Sequence, residues 1–275
     1  FENLFVVTDS GIQTYDYETD TFTTIDAFSE DTHFTAVMRD KDGVLWAGTY
    51  WDGLFTFNPK TKKKREYRHS TNDRNSISGN NVNGIFQDSS NRIWITTEYG
   101  LNLYREETTD FKTYTVGDGF PSNVFYSIIE VDDWLWISTS KGLVEFNPDT
   151  EEKRIYTKAN GLLSDQFNYN SAYKDNNGTL YFGSVAGLVS FNPSSFKENS
   201  EQSPIYLTSL QINNTEVNVS AEDSPLQESL IWADKINLKP NQASFSIGFA
   251  ALGYAAPETT EYWYRMEGLN DDWIS

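Results

Sequence analysis

LWISTSKGLVEFNP, residues 135–148, holds an aromatic in a short apolar run, a Thr three residues later, a Gly three beyond that, and a second aromatic four residues past the Gly. The same cassette reads LFVVTDSGIQTYD from Leu4, LWAGTYWDGLFTFNP from Leu45, IWITTEYGLNLYR from Ile93 and LYFGSVAGLVSFNP from Leu180. Its glycines are Gly11, Gly53, Gly100, Gly142 and Gly187, spaced 42 to 47 residues apart (100 to 142, 53 to 100), a period that belongs to propeller blades. Polarity alternates on both sides of each Gly among Trp, Tyr, Phe, Ile, Val and Thr, which predicts two strands joined by a tight turn.

Ahead of each cassette but the first lies a third strand that ends in a polar turn: FTAVMRDKDG from Phe34, VNGIFQDSSN from Val82, VFYSIIEVDD from Val124 and NSAYKDNNG from Asn170. Asp40, Asp42, Asp88, Asp132, Asp133 and Asp175 fall in these turns, where carboxylates bonding the backbone are ordinary hairpin chemistry. A fourth strand follows as FTTI from Phe22, KREY from Lys64, FKTY from Phe111 and KRIY from Lys153. Each unit is thus a four-stranded antiparallel blade with large apolar residues on both faces. Only radial stacking buries both, so Phe5, Trp46, Trp94, Trp136 and Tyr181, which share one cassette position, are expected to pack between blades.

The expected class is all-β: a segment of about five propeller blades over residues 1–200, then the start of an immunoglobulin-like sandwich over residues 204–275. The first unit lacks its first strand and the fifth its last, so the segment reads as an excerpt of a larger propeller. In the tail, strands are expected at IYLTSLQIN (from Ile205), DKINL (Asp234), SFSIGFAAL (Ser244) and EYWYRMEGL (Glu261), with Phe245, Ile247 and Phe249 on one half-buried face. At about 70 residues this tail is shorter than a complete sandwich of roughly 100.

Composition narrows the function. The 275 residues carry a formal charge of −19, with 40 acidic against 21 basic side chains, which argues against nucleic acid as a partner. The basic run Lys62, Lys63, Lys64 and Arg65 reads as a solvated loop rather than a site. With no cysteine and only His33 and His69, thiolate chemistry, metal ligation and catalytic triads are poorly supplied, and neither a metal nor a cofactor is expected. Sequons at Asn177, Asn213 and Asn218 carry no functional reading.

The units resemble two-component regulator propeller repeats, most closely in DGFPSNVFYSIIEVDDWLWISTSKGLVEFNP (118–148) and NSISGNNVNGIFQDSSNRIWITTEYGLNLY (75–104). The tail, through NQASFSIGFAALGYAAPETTEYWYRMEGLNDDWIS (241–275), is similar to the triple-tyrosine (Y_Y_Y) domain that follows such propellers. The resemblance implies the periplasmic, ligand-sensing region of a hybrid two-component histidine kinase of the Bacteroidetes, with an oligosaccharide as ligand and polysaccharide-utilisation genes as output. It also implies a homodimer formed through the parent protein and a membrane attachment only through that protein's transmembrane helix. Kinase activity would belong to the parent, so this chain is expected not to be an enzyme. A protein-interaction propeller is the alternative, and a propeller glycosidase or lyase a weaker one.

Propeller geometry puts the connections between second and third strands, and between blades, on one face. Six residues run from aromatic to Gly in four units (94 to 100, for example) but seven in the second (46 to 53), so the loop Tyr50, Trp51 and Asp52 carries an insertion. Trp51 and Tyr50 are therefore candidates for stacking on a sugar, with Tyr99, Glu98 and Lys141 from neighbouring turns and Arg74 and Asn80 from the longest connection. The recurrent Thr49, Thr97, Thr139 and Ser184 are expected to bond turn backbone instead.

Overall fold

The computed structural model describes residues 4–8, 11–28, 32–196, 204–219, 224–251, 262–268 and 272–274. Backbone contacts divide the chain into two units, Phe1–Phe196 and Lys197–Ser275. The described residues are all-β, with short 3-10 turns and no α-helix, and none of their helices is long and apolar enough to cross a membrane.

The first unit consists of five antiparallel meanders. Blade I has three strands, β1 (Phe5–Thr8), β2 (Gly11–Asp16) and β3 (Thr21–Thr24). Blade II has β4 (Phe34–Arg39), β5 (Leu45–Thr49), β6 (Leu54–Asn58) and β7 (Lys63–Tyr67). Blade III has β8 (Val82–Gln87), β9 (Ile93–Thr97), β10 (Leu101–Arg105) and β11 (Asp110–Tyr114). Blade IV has β12 (Phe125–Val131), β13 (Trp134–Thr139), β14 (Gly142–Phe146) and β15 (Lys153–Tyr156), and blade V has β16 (Phe167–Lys174), β17 (Leu180–Ser184) and β18 (Gly187–Phe191). The basic run thus lies mostly on strand β7, with only Lys62 in the preceding turn, and not in a loop as its charge suggested.

The blades stand around a common channel. A cavity of 380 Å³ is lined by Val7 of β1, Thr35 of β4, Ile85 of β8, Tyr126 of β12 and Ala172 of β16, one strand from every blade. In blade I, described as β1 to β3, it is β1 that lines this cavity. Side chains tie blade III to the innermost strand of blade IV: Asn83 Nδ2 on β8 donates to the Phe125 carbonyl at 2.8 Å and Thr96 Oγ1 on β9 to that of Tyr126 at 2.9 Å.

Four hydrophobic clusters fill the spaces between successive blades, so each inner blade buries both faces. The cassette aromatics sit at their centres. Trp46 meets Tyr104 of blade III at 4.9 Å between ring centroids, Trp94 meets Phe146 of blade IV at 6.0 Å, and Trp136 meets Phe191 of blade V at 4.9 Å. All three tryptophans are buried, whereas Phe5 and Tyr181, in the first and last blades, are half-buried.

The hairpin carboxylates do more than shape turns. Asp40 Oδ1 accepts from the backbone of Asp42 and Val44, while its Oδ2 accepts from the Trp46 indole at 2.7 Å. Asp88 repeats this, taking the Arg92 backbone N–H and the Trp94 indole at 2.9 Å. In blade V Asp175 holds the Asn177 and Thr179 backbone and accepts from the Tyr181 hydroxyl. One residue type thus closes the hairpin and satisfies the one polar atom of the aromatic that the blade must bury.

Between blades III and IV, Lys112 Nζ lies 2.5 Å from Glu151 Oε1 and the Tyr114 hydroxyl donates to the same oxygen at 3.1 Å. Lys112 first, then Tyr114, holds the Glu151 carboxyl below the ordinary carboxylate range. A carboxyl with a depressed folded pKa stabilises above its unfolded pKa, and that contribution is lost as pH falls through the folded value. Glu151→Gln is therefore expected to lower the thermal midpoint at neutral pH, with the difference from wild type closing as pH falls below about 4. A difference that stays constant from neutral to acid pH would assign the effect to packing.

The second unit pairs β19 (Ile205–Ile212) with β20 (Thr215–Glu216) and β21 (Phe245–Ala251). DKINL is irregular rather than a strand, and of EYWYRMEGL the described residues form one isolated bridge, Tyr264 to Ile274. Phe245 and Ile247 are exposed and Phe249 is half-buried against Tyr262 at 5.3 Å. Alternation in β21 requires a covering layer to become a half-buried face, and no second sheet exists among the described residues of this unit.

Candidate functional site

The turns between second and third strands share one fastening. In every blade the Thr or Ser hydroxyl donates to the carbonyl of the cassette Gly: Thr8 to Gly11 (3.2 Å), Thr49 to Gly53 (2.9 Å), Thr97 to Gly100 (3.0 Å), Thr139 to Gly142 (2.8 Å) and Ser184 to Gly187 (2.8 Å). The same hydroxyl accepts a turn N–H from Asp52, Tyr99, Lys141 and Ala186 in blades II to V. These residues are structural, as their recurrence suggested. Gly53 and Gly142 have φ of 80° and 120°, and a Cβ would lie 2.2 and 2.6 Å from the Tyr67 and Tyr156 carbonyl oxygens, so no side chain fits.

In blade II the fastening spans one residue more, and the extra length turns two aromatics outward. Tyr50 and Trp51 are 48% and 59% exposed and meet edge to face at 4.5 Å; His33 meets Trp51 at 5.5 Å. Tyr50 N–H donates to the His33 carbonyl and Asp52 accepts from Arg68 at 3.0 Å, so the loop is held at both ends.

Glu98 turns the other way, toward the innermost strands. Its Oε1 accepts from the Tyr169 hydroxyl of blade V at 2.7 Å and from Asn83 Nδ2 at 3.3 Å. Tyr169 also packs edge to face on Tyr126 at 4.7 Å, and Tyr126 lines the channel cavity. Burial raises the Tyr169 phenol pKa, reinforced by the bond to Glu98 and by the nearby Tyr126 and Tyr50. Glu98, Tyr126 and Tyr169 thus bring blades III, IV and V together in one polar and aromatic cluster.

The other candidates are placed differently. Tyr99 is 62% exposed, and one side of its ring lies so close to Gly79 that a Cβ there would be 2.6 Å from Tyr99 Cδ2. Asn80 serves the scaffold: its carbonyl accepts from Gly53 N–H at 3.1 Å and its Oδ1 from His69 N–H at 2.7 Å. Arg74 and Lys141 are exposed and make no side-chain hydrogen bond or ion pair with a described residue. Asn83, Tyr126 and Tyr169 were not singled out in the sequence. Tyr169 reaches Glu98 because β16 bulges: Phe167 pairs with Ser184 and Ala172 with Phe182, five steps against two, a departure that only pairing reveals.

Comparison with known proteins places the repeats. The two component regulator propeller family matches residues 29–51 and 76–99. Histidine kinase P4 of Formosa agariphila is 28% identical over 94% of this chain, which spans 23% of that kinase. The extracellular domain of a hybrid two component system from B. thetaiotaomicron superposes over 99% of this chain and 37% of its own, at 22% identity and a TM-score of 0.77. Streptogramin B lyase superposes over 74% of this chain and 68% of its own, at 14% identity and a TM-score of 0.51, a likeness of fold alone. Residues 29–51 and 76–99, in blades II and III, are thus similar to two component regulator propeller repeats, and the remaining blades share their cassette.

Proposed function

We propose that the chain is the extracytoplasmic, ligand-sensing region of a hybrid two-component sensor histidine kinase, recognising an oligosaccharide in the periplasm and through its parent controlling polysaccharide-utilisation genes as a homodimer. The observation that carries this is that the Glu98 carboxylate and Asn83 amide meet the exposed Tyr169, which packs on Tyr126, while the exposed Tyr50 and Trp51 rings meet in the lengthened turn of blade II. Sugars bind flat aromatic faces beside amide and carboxylate groups, the combination found there. The kinase relative supports the signalling context. The role proposed for this chain is binding rather than catalysis.

Calorimetric titration of the chain with a panel of glycan fragments tests the reading. A fragment that binds is expected to lose about ten-fold in affinity, ~1.4 kcal/mol, on Trp51→Ala and on Glu98→Gln. The thermal midpoint should hardly move for Trp51→Ala, because an exposed loop-tip ring adds little to the core. Equal affinities for wild type and both variants would take the site away from this face. A panel without any binder, together with capture of a defined peptide by the same face, would favour the protein-interaction propeller.

A further inference from the structure

The spaces between blades are built alike, which exposes one that is unlike the rest. In blades II, III and IV the outermost strand ends in a tyrosine two residues after a cation: Arg65 and Tyr67, Lys112 and Tyr114, Arg154 and Tyr156. Register makes the pairs equivalent, since Tyr67, Tyr114 and Tyr156 face Leu54, Leu101 and Leu143, and the cations face Thr56, Leu103 and Glu145.

In two of the three, the chain closes the pair with its own carboxylate. Between blades III and IV the left-handed turn residue Glu151 takes Lys112 and Tyr114. Between blades IV and V, Glu145 accepts from Tyr156 at 2.8 Å and lies 3.6 Å from Arg154. Between blades II and III both carboxylate positions are threonines. Thr56 stands where Glu145 does, and Thr109, with φ of 55° against 60° for Glu151, is the corresponding turn residue.

The consequence is a cavity of 760 Å³ lined by Arg65, Tyr67, Tyr104, Thr56, Thr109 and Trp46 among others. Arg65 is exposed and forms no ion pair with a described carboxylate; it shares the lining with Tyr67 and Tyr104, whose hydroxyls lie 3.3 Å apart. Of the acids in the lining, Asp40 is committed to its turn and to Trp46, while Asp42 and Glu106 share the space with Lys41 and Lys63. Amides of Asn58, Gln87 and Asn91 line the same space.

We infer that this cavity is a binding site for a small carboxylate bearing hydroxyl groups, an acidic sugar in chemical class, whose carboxylate takes the place between Arg65, Tyr67 and Tyr104 that Glu151 and Glu145 fill in the neighbouring interfaces. The guanidinium fork and two phenol hydroxyls supply donors for both carboxylate oxygens, and the amides match hydroxyls. The cavity lies among the first-to-second and third-to-fourth strand turns, on the face opposite Trp51, so the site is independent of the oligosaccharide reading above.

The probes are sodium D-glucuronate, D-glucose and sodium sulfate, titrated into the chain by calorimetry with ligand-observed NMR. Glucuronate is expected to bind saturably and glucose not to bind at the same concentration. Arg65→Gln should weaken glucuronate about ten-fold. Thr109→Glu, which restores the internal carboxylate in a turn conformation that Glu151 already adopts, should abolish binding without lowering the thermal midpoint. No saturable glucuronate binding, or unchanged binding in both variants, overturns the inference. Sulfate competing as well as glucuronate would overturn the carboxylate assignment in favour of a general anion site.

Discussion

Replacing Trp94 by Ala is expected to cost about 3 to 5 kcal/mol of stability, the range for emptying a large buried aromatic site. The indole is fully buried, packs on Tyr114 and Phe146, and donates to Asp88, so its loss opens a cavity between blades III and IV and leaves a carboxylate oxygen without its donor. Denaturant unfolding of the chain measures the change. Tyr181→Ala, at the same cassette position in blade V, should cost clearly less because that ring is half-buried. A loss below about 1 kcal/mol for Trp94→Ala would contradict the inter-blade packing described.

Asp88→Ala is the second large effect, again about 3 to 5 kcal/mol, the cost of breaking a buried charged network by removing one partner. The Asp88 side chain has no exposure; it accepts from the Arg92 backbone, the Arg92 guanidinium and the Trp94 indole. Arg92 reaches on to Asp149 of blade IV at 2.5 Å, so removing Asp88 loosens a hairpin and an inter-blade link together. Trp94→Phe should cost less in the Asp88→Ala background than in wild type, because the indole N–H has already lost its acceptor. Additive losses would show that the Asp88 to Trp94 bond carries no energy of its own.

The blades were legible because the same demand recurs. Each must bury two faces, so Trp46, Trp94 and Trp136 return at one spacing, and the additional residue between Trp46 and Gly53 is visible as a break in that spacing. The second role of Asp40 and Asp88 was hidden: turn chemistry accounts for an Asp there, and only strand geometry brings its other oxygen to an indole six residues on. The channel-side cluster was half legible. Glu98 follows from its place in the turn next to the lengthened loop, but Tyr169 meets it across 71 residues through a bulge that no local pattern announces. Arg65 was passed over because a basic run reads as solvated surface, and its meaning depends on carboxylates that are present only in the equivalent positions of later blades. In the tail, alternation without a covering layer misled for Phe245 and Ile247.

The hydroxyl-to-glycine fastening of each second turn has a consequence for how such a chain can change. Because the closing bond is made within one turn, blade II takes an added residue there while Trp46 and Leu54 stay in the core. Each turn is in effect a replaceable cartridge. New binding specificity can therefore arise, by evolution or by grafting, one turn at a time, with the rest of the wheel left as it is.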